Sequence, residues 1–403
     1  MTTAQEMLTY IRDFCRRELT SSINFWLEHG IDRENGGVYT CLDRKGEVYS
    51  TDKSVWMQGR CAWTFAYLCN TYGMQEPWKE ASKSCLDFLE KHCINKEAGG
   101  RLYFTVTKEG EPLRQRRYNF SEGFYAIANA EYYGLTGEKI YLERARRACD
   151  MIYELNYGLV EDPTGLGPKT IPETRSGKSL ADPMIYLNII SILRKFDSVN
   201  AEEYNRRASE CVEQIVGSHY RPELGCTLET VNSDGQPELD YTAGRVVNPG
   251  HDIECSWFLR DEAKYQNDSG IFDCAQAIFS SAIEAGWDKE YGGLLYFIDC
   301  LGKPTEAYEH DMKLWWPHNE IMIAASKFYA DTKNDYYLNW LKGTVDYCEK
   351  HFVDREYGEW YGYLRRDGLP TMPSTKGSTF KGPFHVPRAL AMCERTLSEI
   401  IGE

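Results

Sequence analysis

The chain has 403 residues, with 61 acidic side chains against 46 basic ones and a formal net charge of −15, and it is 42% hydrophobic and 27% charged. This is globular composition; it offers no concentrated basic surface for nucleic acid and would be repelled by an anionic membrane. The start, MTTAQEMLTYIRDFCRREL, carries charge throughout, unlike a signal peptide, and the longest apolar stretch, 184–193, falls short of a membrane span. Fourteen cysteines run from Cys15 to Cys393 without one C-x-x-C pair. They read as reduced thiols of a cytoplasmic protein, and no Cys/His cluster has metal-ligand spacing.

A helical run over 4–29 opens the chain and leads into HGIDRENGGVYTCLDRKGE at 29–47. Helical runs at 52–72 and 78–93 follow, then a second loop of the same kind, HCINKEAGGRLYFTVTKEGE, at 92–111. Runs at 119–136 and 138–155 precede a degenerate copy at 157–173, and runs at 180–195 and 202–218 precede HYRPELGCTLETVNSDGQ at 219–236. The pattern continues with 249–264, 271–286, the loop at 286–304, then 313–331, 335–351, the loop at 351–370 and a last run at 383–402. The loop glycines at 37, 100, 165, 225, 293 and 358 recur every 60–68 residues. Each loop has two turn signals with alternating apolar residues between them, the mark of a short β-hairpin.

Twelve helices in six hairpins, each followed by the same kind of loop, predict an all-α (α/α)6 barrel with short β-hairpin loops at one end. A linear solenoid fits the period less well, because the copies are few, long and divergent. Nothing marks a linker, so residues 1–403 read as one domain.

In that geometry, the residues just after each loop converge on one cavity. They include Trp56 and Arg60 after the first loop, Asn248, His251, Glu254 and Trp257 after the fourth, and Trp316, His318 and Glu320 after the fifth. His385 and Arg388 follow the sixth. His29, His92, His219 and His351 end outer helices, where a histidine serves the terminal carbonyls and the dipole. His251 and His385 stand apart, at matching positions after two loops. Two histidines on opposite faces of one carbon can take a proton from one side and return one to the other. An arginine beside the neighbouring carbonyl would stabilise the enolate, and glutamates would hold the imidazole tautomers. The constellation suggests epimerisation or isomerisation next to a carbonyl, with Trp residues facing a sugar. An inverting glycosidase would use Glu254 and Glu320, but at roughly 6.5–9.5 Å separation, and would leave both histidines idle. Arg60 paired with Glu254 or Glu320 as a structural ion pair is the plainer alternative for those charges.

The strings RVVNPGHDIECSWFL at 245–259, DMKLWWPHNE at 311–320 and EYGEWYGYLRRDG through FKGPFHVPRAL at 356–390 resemble the N-acylglucosamine 2-epimerase (renin-binding protein) family. VYSTDKSVWMQGRCAWTF at 48–65 and YNFSEGFYA at 118–126 match as well. The resemblance implies interconversion of N-acetylglucosamine and N-acetylmannosamine, with His251 and His385 as the acid/base pair and Arg60 as enolate stabiliser. Glu254 and Glu320 complete the catalytic set, and Trp56, Trp257, Trp316, Asn248 and Arg388 are implied to bind substrate. It implies a homodimer, no metal, no cofactor for the chemistry, and ATP or another nucleotide as activator. Other aldose 2-epimerases and aldose–ketose isomerases share the scaffold, and relatives named for binding a protease keep a non-catalytic reading open. Asp182 departs from the family's usual apolar residue, either lining the cavity or sitting at its rim.

Overall fold

The structure, a computed structural model, describes residues 3–403. Twelve α-helices form among them, at nearly the predicted bounds. The first six are α1 (Ala4–Phe25), α2 (Val55–Tyr72), α3 (Glu76–Phe88), α4 (Phe120–Thr136), α5 (Lys139–Asn156) and α6 (Ala181–Arg194). The others are α7 (Ala201–Gln214), α8 (Pro249–Gln266), α9 (Ser269–Gly286), α10 (Trp315–Thr332), α11 (Asp335–His351) and α12 (His385–Ile401). Helices α1, α3 and α7 run on into π-helical turns, Trp26–Gly30, Leu89–Cys93 and Ile215–His219.

The even-numbered helices form a closed inner ring, each packed on the next and α12 returning to α2. The odd-numbered helices pack outside, with α1 against α12 across the chain ends. Burial follows this division. Outer α7 buries only the stripe Tyr204, Arg207, Ala208, Cys211 and Val212, whereas inner α10 is buried without a break from Trp315 to Ser326. Gly59 on α2 permits part of this closeness, since a Cβ there would lie 2.8 Å from the Phe124 backbone. Gly250 does the same for α8, where a Cβ would meet the Trp316 ring at 2.7 Å.

The loops gather at one end and are stitched to each other. Short antiparallel pairs join Lys53–Ser54 to Thr105–Val106, Lys178–Ser179 to Thr230–Val231, Val246–Val247 to Ile298–Asp299 and Lys313–Leu314 to Tyr363–Leu364. A bridge between Asp43 and Thr375 ties the first loop to the last. The degenerate copy at 157–173 carries no strand. This stitching also satisfies a leading, buried N–H group at the start of three inner helices, which mostly lack side-chain caps. Val55 donates to the Phe104 carbonyl, Trp315 to Gly362 and Leu180 to Glu229. Buried Lys53 and Lys313 brace the same junctions, pairing with Asp32 and Asp288 of the hairpins at 2.7 and 2.8 Å.

The four outer-helix histidines are structural, though their partners differ from expectation. His219 Nδ1 lies 2.8 Å from the Leu228 carbonyl and His351 Nδ1 3.0 Å from that of Gly368, so both bind the following hairpin rather than their own helix end. His29 and His92 pack on Gly46 and Gly110, whose positive φ and missing Cβ make room for the rings. All fourteen cysteines are free thiols. Among the described residues, no helix is long and apolar enough to cross a membrane.

Candidate active site

The first turns of the inner helices enclose a cavity of about 540 Å³. Its tier nearest the loops is aromatic, with Trp56, Phe120, Trp316 and Phe384 on four different helices or helix starts. One helical turn deeper, four residues on, come Arg60, Phe124, Glu320 and Arg388, with Glu254 at the same step on α8. The repeat register thus builds an aromatic layer above a charged one.

His251 and His385 line the cavity from α8 and α12. They flank Trp316 of the intervening α10, with ring centroids 5.1 and 5.8 Å from its own. The position of each imidazole is fixed by a carboxylate. His251 Nδ1 is 2.8 Å from Glu229 Oε1, and His385 Nδ1 is 2.8 Å from Glu320 Oε1. A carboxylate only accepts, so both rings donate through Nδ1 and leave Nε2 for the cavity.

Their electrostatic surroundings differ. Burial works to lower the His251 pKa, but the Glu229 carboxylate, with Glu254 and Glu320 beyond it, raises it above the usual imidazole value. Burial lowers that of His385 well below the usual value, and the Arg388 and Arg60 cations add to the effect against Glu254. Pushing two imidazoles' affinities for a proton in opposite directions is how a site keeps one acid and one base ready at the same pH.

Arg388 bridges the two expected glutamates. Its Nη2 donates to Glu254 Oε1 at 3.0 Å and also to Glu320. Glu320 further accepts from Trp257 Nε1 at 2.9 Å. Ligand-type atoms of Glu254, Glu320 and His385 lie within 4.8 Å of one another. That carboxylate spacing is too short for an inverting glycosidase pair, which needs roughly 6.5 Å or more. The guanidinium already supplies the positive charge that a metal would bring, and an ion would have to displace it.

Arg60 is therefore no partner of those glutamates, and the ion pair considered from the sequence does not form. Its guanidinium lies 4.1 Å from the Phe124 centroid and 4.9 Å from that of Phe384, with Nε unpartnered. Burial presses its pKa down to about 9, against Glu254, so it stays cationic at neutral pH. An uncommitted cation facing a cavity can receive a developing anion.

The family profile of N-acylglucosamine 2-epimerase (GlcNAc 2-epimerase) matches residues 37–385. The chain is 37% identical over 388 residues to the N-acylglucosamine 2-epimerase of Rattus norvegicus, covering 96% of this chain and 91% of that one. It is 35% identical over 400 residues to that of Homo sapiens, covering 98% and 92%. The chain belongs to the N-acylglucosamine 2-epimerase family. The solved cellobiose 2-epimerase of Bacillus thermoamylovorans shares the fold, with a TM-score of 0.83 at 22% identity over 96% of this chain and 99% of that one. The (α/α)6 barrel expected from the repeat is thus the family's architecture, and the protein is a carbohydrate epimerase of the isomerase class.

Not every residue expected at the epimerase site reaches the cavity. Asn248 caps α8 instead, its Oδ1 accepting from Gly250 and His251 N–H at 3.1 and 3.3 Å. A helix-capping asparagine and a pocket asparagine look alike in sequence. Trp257, three residues past Glu254, lies behind the cavity and donates through Nε1 to Glu320. His318 is wholly buried, with Nδ1 2.7 Å from the Leu314 carbonyl and Nε2 accepting from Leu294 N–H at 2.9 Å. Both nitrogens are spent on backbone, and burial takes its pKa down to about 3. Asp182 does not line the cavity; burial raises its pKa to about 6. Glu229 escaped the sequence reading because it sits in a hairpin, not on an inner helix. One signal existed: four residues after the loop glycine, the better copies carry Cys41, Phe104, Phe297 and Gly362 where this one has a glutamate.

Proposed function

We propose that the protein is an N-acylglucosamine 2-epimerase interconverting N-acetylglucosamine and N-acetylmannosamine through their open-chain forms. The observation that carries this is the pair of imidazoles flanking Trp316, each anchored through Nδ1 to its own glutamate. The mammalian relatives named for this activity support the choice of sugar. His385 Nε2 takes the C2 proton, and the electrons of that bond move into C1–C2 while the C1 carbonyl oxygen becomes negative. Arg60 stabilises that oxygen. His251 Nε2–H then delivers a proton to the opposite face of C2, and the carbonyl reforms. Glu254 and Arg388 bind hydroxyls at the cavity floor, and the Trp56 and Trp316 rings face the sugar. Incubation with either sugar, followed by chromatography, should give the other; no interconversion would refute the assignment.

Glu229→Gln should move the basic limb of the kcat/KM profile to lower pH for the epimer deprotonated by His385. His251 must hold a proton in that direction, and its raised pKa depends on the lost negative charge. A profile identical to wild type would separate Glu229 from the acid role.

The reading extends to one domain over 1–403, a cytoplasmic homodimer, and activation by ATP or another nucleotide. A pocket of about 280 Å³ beside the second and third loops supports the last point. It is lined by Arg114, Arg116, Arg117 and Lys169, none of which forms an ion pair among the described residues. In an acidic chain, such cations suit a polyphosphate. Replacing Arg117 and Lys169 together by alanine should abolish stimulation by ATP while leaving the basal rate; retained stimulation places the nucleotide elsewhere.

A further inference from the structure

The six inner helices divide the cavity unequally. Among the helices, the charged and titratable groups come from α2, α8 and α12, with the Trp316 ring of α10 between the histidines, while Tyr296, Glu309 and Tyr363 reach the cavity from the loops. The wall formed by α4, which faces α10 across the ring, and by its neighbour α6 is apolar: Phe120, Phe124, Ala181, Met184 and Ile185, with Phe258 of α8 beside it. A single side chain breaks that surface. Asn188, one turn after Met184, lines the cavity and makes no hydrogen bond among the described residues. An unpartnered carboxamide among hydrocarbon has one donor pair and one acceptor to offer.

We propose that this wall is the acyl pocket and that Asn188 is the residue selecting an N-acyl sugar, an inference resting on the epimerase reading above. When C2 becomes trigonal between His251 and His385, its three remaining substituents lie in the plane separating the two imidazoles. That plane runs from α10 across the cavity to α4, where the apolar wall begins before continuing onto α6, so a substituent directed away from α10 meets that wall. The C1 oxygen needs the Arg60 cation, and the hydroxylated tail from C3 onward needs polar partners. The acylamino group suits the wall: its methyl packs on Met184, Ile185 and Phe258. The Asn188 carboxamide accepts from the substrate N–H or donates to its carbonyl. A 2-hydroxyl sugar offers no methyl for the hydrocarbon and no carbonyl for the Asn188 donor.

The test is kcat/KM for N-acetyl-, N-propanoyl- and N-butanoylmannosamine in the wild type, Asn188→Leu and Met184→Ala, with Tm recorded for each. Asn188→Leu, nearly equal in volume, should lower kcat/KM about 10–100-fold on all three. Met184→Ala should raise the N-butanoyl rate relative to the N-acetyl rate about tenfold, the value of two newly buried methylenes. That ratio is internal to one protein, so it decides the question even if Asn188→Leu folds poorly. A folded Asn188→Leu within about twofold of wild type, or an acyl ratio unchanged in Met184→Ala, would overturn the proposal. A wild type that converts no N-acyl sugar would remove the epimerase reading first, a distinct failure.

Discussion

His385→Ala and His251→Ala should each reduce epimerisation about 10²–10⁴-fold, while leaving different partial reactions behind. With His385 gone, His251 still reaches one face of C2, so the epimer presenting its proton there continues to exchange it with solvent. It cannot be reprotonated on the far face, and epimerisation stalls. His251→Ala leaves the complementary exchange, from the other epimer. The rings' separate anchors, Glu229 and Glu320, make this separation possible, since removing one imidazole leaves the other's carboxylate in place. Exchange followed by mass spectrometry of each sugar in D₂O checks this. Both variants losing exchange on both epimers alike would contradict a two-sided mechanism.

Arg60→Met should lower kcat about 10²–10³-fold with little effect on KM, because the charge on the C1 oxygen exists only after deprotonation. Its effect on stability should be small or favourable. Arg60 holds no carboxylate, so its removal strands no charge, and the methionine fits among Phe124, Phe384 and Trp56. Arg388→Met should behave oppositely and cost about 3–5 kcal/mol of stability, because buried Glu254 and Glu320 both lose the guanidinium between them. Urea unfolding of the two variants, beside their kinetics, gives an internal contrast. Equal destabilisation, or an Arg60→Met enzyme of normal kcat, would remove the enolate-stabilising role.

The ring was readable because the chain repeats its own instructions. Loop glycines at a steady spacing, with two helical runs between them, leave few closed arrangements. The same repetition placed His251, His385, Arg60, Glu254 and Arg388 in one cavity before any coordinates, since equal register on a ring means convergence. Pairing across the ring was not readable. Which carboxylate meets Arg388 and which meets His251 depends on distances between elements far apart in sequence, and Glu229 reaches the site from a hairpin. Direction within a helix was the other blind spot. Trp257 is three residues past Glu254, yet its ring turns behind the wall, and Asn248 is taken by the helix end it caps. His318 shows why a histidine near a loop is weak evidence: a buried ring can be consumed entirely by backbone groups.

Proton NMR of the purified enzyme with N-acetylmannosamine in D₂O tests the central claim most directly. Two-base transfer through His385 and His251 predicts N-acetylglucosamine carrying deuterium at C2 and protium at C1. Product with protium retained at C2, or a ketose labelled at C1, would contradict proton exchange between two histidines on opposite faces of that carbon.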